Sequence, residues 1–196
     1  MTWKGDRWLV TICAVIILAS LVRECTAQML TLVNQGYTVQ YNVHTTTAQL
    51  VEWCIYPTDL GAYPRASVGS FKVDKRTPKP RAQSKHYTNS GYQRGHLCPS
   101  ADRSGDIDRM KETYLLSNVV PMAPKLNMGQ WKQTEITCRA LAYLYNGVRV
   151  RVHVWTDSLF ISYLRQSPIA IPKAFGKQVF TISTDSLLCE WYLENH

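Results

Sequence analysis

The stretch YQRGHLCPSAD, residues 92–102, places Arg94 and His96 on either side of one glycine. The segment is too polar and too rich in turn residues for an ordinary core strand. A guanidinium that stays charged, next to an imidazole that titrates near neutrality, is poor core material. It is good material for gripping a phosphate and moving a proton beside it.

Downstream, the segment NVVPMAPKLNMGQWKQTE (118–135) carries a run of valines closed by a proline. A helical pattern then runs from about Asn127 to Tyr145, where Asn146-Gly147 supplies a stop. Asn127 and Glu135 lie two helical turns apart, close enough to lean toward one spot. By itself Asn127 reads as a helix cap and Glu135 as a solvated helix residue. Alone, neither would single out the segment.

Hydrolysis of a phosphodiester needs an activated water, a cation on the non-bridging oxygens and help for the leaving oxygen. His96 suits the role of base and Arg94 that of phosphate clamp. A hard divalent ion needs only one or two protein oxygens, because Mg²⁺ keeps most of its water.

These elements resemble a known family, the DNA/RNA non-specific endonucleases, sugar-non-specific enzymes with a ββα-metal core that include endonuclease G. The family pattern is Asp-Arg-Gly-His, then Asn-x-x-Pro at a strand end, then a helix with Asn-x-x-x-Trp-x-x-x-Glu. Here the matches are QRGH at 93–96, NVVP at 118–121, and Asn127, Trp131 and Glu135. Weaker similarity covers roughly residues 37–196. The resemblance implies an α+β fold containing the ββα-metal core, with a mixed or antiparallel sheet and flanking helices. It implies His96 as general base, Asn127 as the direct Mg²⁺ ligand, with Mn²⁺ as a substitute ion, and Arg94 as phosphate clamp. Glu135 would orient water of the ion's shell and Asn118 would hold the site's geometry. Arg65, in YPRASVGSF, matches a second phosphate arginine. DNA and RNA are the implied substrates, and a protein inhibitor is an implied partner. Gln93 departs from the pattern, which has aspartate there, and Met122 stands where glutamine is common after the proline. The loss of charge at 93 leaves open an impaired relative that only binds nucleic acid; a separate alternative is an enzyme of the same core acting on smaller phosphodiesters or nucleotides.

The rest of the chain fits one such domain. Its 196 residues suit a single core, and 45% hydrophobic with 18% charged residues excludes a disordered chain. Lys and Arg outnumber Asp and Glu by 22 to 14, a net charge of +8 that favours polyanionic partners. Lys72, Lys75, Arg76, Lys79, Arg81 and Lys85 concentrate this charge in a proline-containing surface excursion before the RGH element. TLVNQGYTVQYNV (31–43) and LVEWCIYPT (50–58) read as strands, and VRVRVHVW (148–155) alternates as a half-buried one. The tail reads as a strand followed by a closing helix or strand.

At the amino terminus, Lys4 and Arg7 precede the apolar run 8–22, and Ala27 offers a small-residue exit. That pattern is a secretory signal over residues 1–27, leaving a domain at 28–196 exported to the periplasm or secreted; retained, the segment would be a membrane anchor. Beyond it lie Cys54, Cys98, Cys138 and Cys189. They allow three full pairings or free buried thiols, and the spacing alone does not choose.

Overall fold

The computed structural model describes residues 28–196 apart from Ala62, Ser158 and Phe160. The proposed signal segment, 1–27, lies outside the described residues.

Six strands form one antiparallel sheet in the order β1-β2-β3-β6-β7-β8: β1 (Met29–Val33), β2 (Thr38–Asn42), β3 (Thr47–Ile55), β6 (Val148–Trp155), β7 (Ala174–Thr181) and β8 (Leu187–Glu194). The alternation in β6 is realised in full: Val148, Val150, Val152 and Val154 are buried, while Arg149, Arg151 and His153 face out. Those outward arginines are engaged within the sheet, both with Glu52 on β3 and both over the Phe180 ring. The closing segment is a strand, not a helix. It pairs along β7, which leaves β8 with one core-facing side that ends at buried Leu193.

Between β3 and β6 the chain builds the functional layer. A small hairpin sheet pairs β4 (Gln93–His96) with β5 (Val119–Met122), Gly95 opposite Val120 and His96 opposite Val119. Gly95 is required by a close approach: a Cβ there would lie 2.7 Å from the Cβ of Met122. The departure at Met122 thus fills the space that Gly95 leaves. Three helices complete the layer: α1 (Ile107–Glu112), the single turn α2 (Pro124–Leu126) and α3 (Lys132–Leu144). Asp106 caps α1, its carboxylate accepting from the backbone N–H groups of Asp108 and Arg109.

The expected single helix from Asn127 is corrected. Asn127–Trp131 forms a wider π-type turn that kinks at Gly129 (φ −103°, ψ −110°), and regular α-helix begins only at Lys132. Such turns frequently sit at functional sites because they re-aim one side chain without breaking the helix. The main core lies between the large sheet and this layer, with Trp131, Phe175, Val120 and Met122 among its members. All four described cysteines are free.

Candidate active site

Strand β4 sets the first two groups. Side chains two apart on a strand share a face, so Arg94 and His96 both line a cleft of about 900 Å³. Asn127 from the kinked turn, Glu135 from α3 and Arg65 from the 3-10 turn Arg65–Val68 line the same cleft. Five of the six residues expected at the site are therefore brought together. The sixth, Asn118, is fully buried and lies behind the cleft.

Asn118 acts on the backbone. Its amide oxygen accepts from Cys98 N–H (2.9 Å), and its amide nitrogen donates to the carbonyls of Cys98 and Thr113, both 2.9 Å. Its own carbonyl accepts from Leu97 N–H at 3.0 Å. The residues just after His96 are thereby fixed to the start of β5. Trp131 closes the other side, its indole N–H donating to the His96 carbonyl at 3.1 Å. That contact explains the tryptophan between Asn127 and Glu135: a core side chain locks the helix to the strand that carries the histidine.

His96 is buried, its ring packed 5.1 Å from Phe71 and 4.9 Å from Tyr114. Among the described residues, no polar atom satisfies its Nε2. Burial first, and the nearby Arg65 guanidinium second, push its pKa down to about 3, so the ring is neutral at physiological pH. A neutral imidazole is the form that accepts a proton. Arg94 is oriented by donating from Nη2 to the Ser84 carbonyl (2.7 Å), with its guanidinium 5.6 Å from the Tyr87 ring and 5.7 Å from Phe71. Its Nε is buried with no partner among the described residues. Such orphaned donors in a cleft are available to a ligand.

The departure at Gln93 has a defined consequence. Gln93 Oε1 accepts from Asn127 Nδ2 at 2.7 Å, and Gln93 Nε2 donates to the Met128 sulfur at 3.5 Å. With its NH₂ committed, Asn127 keeps its amide oxygen for another partner. Glutamine thus retains the orienting contact without supplying a charge.

Behind the cleft lies a buried polar group that sequence reasoning missed. Asp102 is fully buried, accepting from Trp53 Nε1 (2.9 Å) and paired with Arg139 Nη1 (2.8 Å). Lys177 is also fully buried, donating to Thr134 Oγ1 at 2.9 Å with its Nζ 3.6 Å from the centre of the Trp131 ring. A signal for it existed: Phe175, Lys177 and Val179 occupy alternate positions on the core face of β7. Glu135 feels this group. Burial pushes its pKa up to about 7 and the Asp102 carboxylate adds to the rise, while Lys177 and Arg139 oppose it.

The cleft is built for an anion. Arg65, Arg94 and Lys132 line it against the carboxylate of Glu135, while Arg139 is committed to buried Asp102, leaving an excess of two positive charges. It also fits a hard divalent ion. Among the described residues no three His, Cys, Asp or Glu side chains converge into a metal cage. An ion that keeps several waters needs only one or two protein oxygens, and the free oxygen of Asn127, with Glu135 in the same cleft, provides them.

Several known nucleases resemble this chain. A nuclease of Nostoc is 35% identical over 112 residues, 56% of this chain and 40% of that protein. Mitochondrial endonuclease G of Bos taurus is 30% identical over 156 residues, 72% of this chain and 51% of its own. Mitochondrial nuclease EXOG of Xenopus laevis is 38% identical over 81 residues, 41% of this chain and 23% of its own. The chain thus spans between 23% and 51% of the length of these relatives. Its fold matches EndoG, solved in complex with EndoGI, with a TM-score of 0.75 at 19% identity over 100% of this chain and 82% of that one. A profile of DNA/RNA non-specific endonucleases matches residues 23–192, and by that match over nearly the whole length the chain belongs to the DNA/RNA non-specific endonuclease family.

Proposed function

We propose that this chain is an exported, Mg²⁺-dependent endonuclease that hydrolyses the phosphodiester bonds of DNA and RNA with little sequence preference. The observation that carries the reading is the convergence of Arg94, neutral His96, Asn127 and Glu135 in one cleft with a positive excess. When bound, the ion would be held by the Asn127 oxygen and would neutralise charge on the phosphate and leaving oxygen. The protein's own groups do the rest. Arg94 and Arg65 hold the phosphate by its non-bridging oxygens. His96 takes the proton of the attacking water as its oxygen bonds to phosphorus and the ester P–O bond breaks. The departing oxygen takes a proton from cleft water. Glu135 accepts hydrogen bonds from cleft water and keeps it ordered. No base edge is read in this scheme, which supports activity on both DNA and RNA.

Export is supported by the composition of residues 1–27, and a secreted form beginning near Gln28 is the expected product. The fold neighbour's complex with an inhibitor makes a protein inhibitor a reasonable partner. The test is incubation of the purified domain with plasmid and with RNA, with and without chelator. Cleavage of both that stops on chelation is expected, with His96→Ala slower by about two to four orders of magnitude. Nucleic-acid binding without cleavage would favour the impaired relative instead.

A further inference from the structure

The positive excursion does not behave as one patch. Arg76 is bound to Asp74 (2.7 Å) and to the Val33 carbonyl and Asn34 side chain. Arg81 donates to the backbone carbonyls of Thr77 and Lys75. Both are used to hold the excursion's own shape. Lys85 has a different setting. It is exposed and lines a separate hollow of about 560 Å³ together with His86, Thr88, Arg165, Gln166 and Ser167. Every one of these side chains can donate a hydrogen bond, and none is a carboxylate.

Two segments far apart in sequence meet here. Arg165 comes from the loop between β6 and β7 and is tied across by donating from Nη1 to the Asn89 carbonyl at 2.7 Å. Its backbone sits at φ +28°, a region a non-glycine residue rarely occupies. The contact fixes one nitrogen of the guanidinium and leaves the remaining N–H groups for a ligand. His86 is fixed too: its Nδ1 accepts the Gln83 N–H at 3.2 Å, so in the neutral ring Nε2 carries the proton and is a donor. Burial and the adjacent Lys85 hold its pKa below the usual histidine value, which keeps it in that neutral form.

The hollow adjoins the cleft. Ser84, whose carbonyl orients Arg94, opens the 3-10 turn Ser84–Tyr87 that carries Lys85 and His86. The same turn places Tyr87 under the Arg94 guanidinium. One short turn therefore forms the wall between the two sites, with Lys85 the residue after Arg94's own anchor.

From this we propose that Lys85, His86 and Arg165 form a second phosphate subsite, which grips a backbone phosphate flanking the one held by Arg94 on the same nucleic-acid strand. The inference rests on the nuclease reading but concerns binding rather than cleavage. It assigns the hollow to the sugar-phosphate backbone, so a substrate with a single phosphate does not reach it.

The experiment compares the parent with Lys85→Ala/Arg165→Ala. Binding of a labelled single-stranded DNA is measured in EDTA over a range of salt, and turnover of bis(p-nitrophenyl) phosphate is measured with Mg²⁺. Removing both cations from the one phosphate they grip should reduce the slope of log Kd against log salt by about 0.7, the value for one phosphate contact on a single strand. Affinity at low salt should fall by about an order of magnitude, while turnover of the small diester stays within about twofold. The charge-conserving variant Lys85→Arg alone should keep the parental slope. An unchanged slope in the double variant overturns the subsite, as does equal loss on the small diester, which would mark a structural defect. Inorganic phosphate that protects the hollow without any change in DNA binding would assign it to free anions and overturn it too. Because binding is read without metal, a parent that binds DNA but cuts nothing refutes the nuclease reading and leaves the salt-slope comparison, which decides the subsite, intact.

Discussion

Asn118→Ala separates a backbone clamp from a group that meets the substrate. The side chain makes three hydrogen bonds at 2.9 Å, all to backbone atoms, and is fully buried. Each such bond contributes about 1 kcal/mol net, and its loss leaves the Cys98 N–H buried without a partner at a further cost of about 1–3 kcal/mol. The expected destabilisation is therefore roughly 4–6 kcal/mol. For a domain of this size that is a fall in Tm of roughly 8–24 °C. The assay is urea unfolding followed by tryptophan fluorescence, requiring an unchanged m-value so that the difference reports stability. Turnover measured well below the new Tm should fall through a displaced His96, whose neighbours Leu97 and Cys98 are both held by Asn118. A loss under about 1 kcal/mol would refute the clamp. So would full stability with abolished turnover, because that pattern belongs to a residue that touches the reacting atoms.

Two further outcomes follow from the cleft's charges. Gln93→Asp keeps an acceptor for Asn127 Nδ2 and adds a negative charge beside the proposed ion, so Mg²⁺ should bind roughly tenfold more tightly, about 1.4 kcal/mol; calorimetric titration giving equal or weaker binding would refute the orienting role drawn for Gln93. The pH dependence should belong to Glu135 rather than His96. With its pKa up at about 7, Glu135 retains a proton that the unfolded chain releases near 4.5, so this contribution to metal-free stability is lost as pH rises through that window. His96, held down at about 3, acts oppositely: it stays neutral while the unfolded chain takes up a proton below about 6.5, so its contribution falls as pH falls. Mg²⁺ affinity should accordingly rise with pH up to about 7 and level off above it, and the acid limb of kcat/KM should move to lower pH as Mg²⁺ is raised. In Glu135→Gln that pH dependence should vanish; a limb near pH 6–7 that survives there would return the titration to His96.

The sequence alone was sufficient for the family and the α+β class, and it named five residues that line one cleft. Those follow from local rules. Alternation fixed β6 residue by residue, because side chains on a strand point in turn to core and solvent. The RGH, NVVP and Asn-Trp-Glu elements could be read because each occupies a few consecutive residues or adjacent helical turns, where spacing along the chain is close to spacing in space. Tertiary structure decided the rest, because it depends on groups far apart in sequence. The low pKa of His96 comes from Phe71 and Tyr114 closing over its ring with Arg65 nearby, and no local pattern carries that desolvation. Asn118 was expected to hold the site's geometry, but only the pairing of β4 with β5 shows how: it sits behind the histidine and clamps the Cys98 backbone. The kink at Gly129 was hidden because the apolar spacing of a helix survives one wider turn. The basic excursion shows the same divide: composition counted six cations, but only contacts with Asp74 and with backbone carbonyls could show that Arg76 and Arg81 serve the fold. Lys85 is left facing Arg165, eighty residues further along the chain, since charge is a property of the residue and its availability a property of the neighbours that folding supplies.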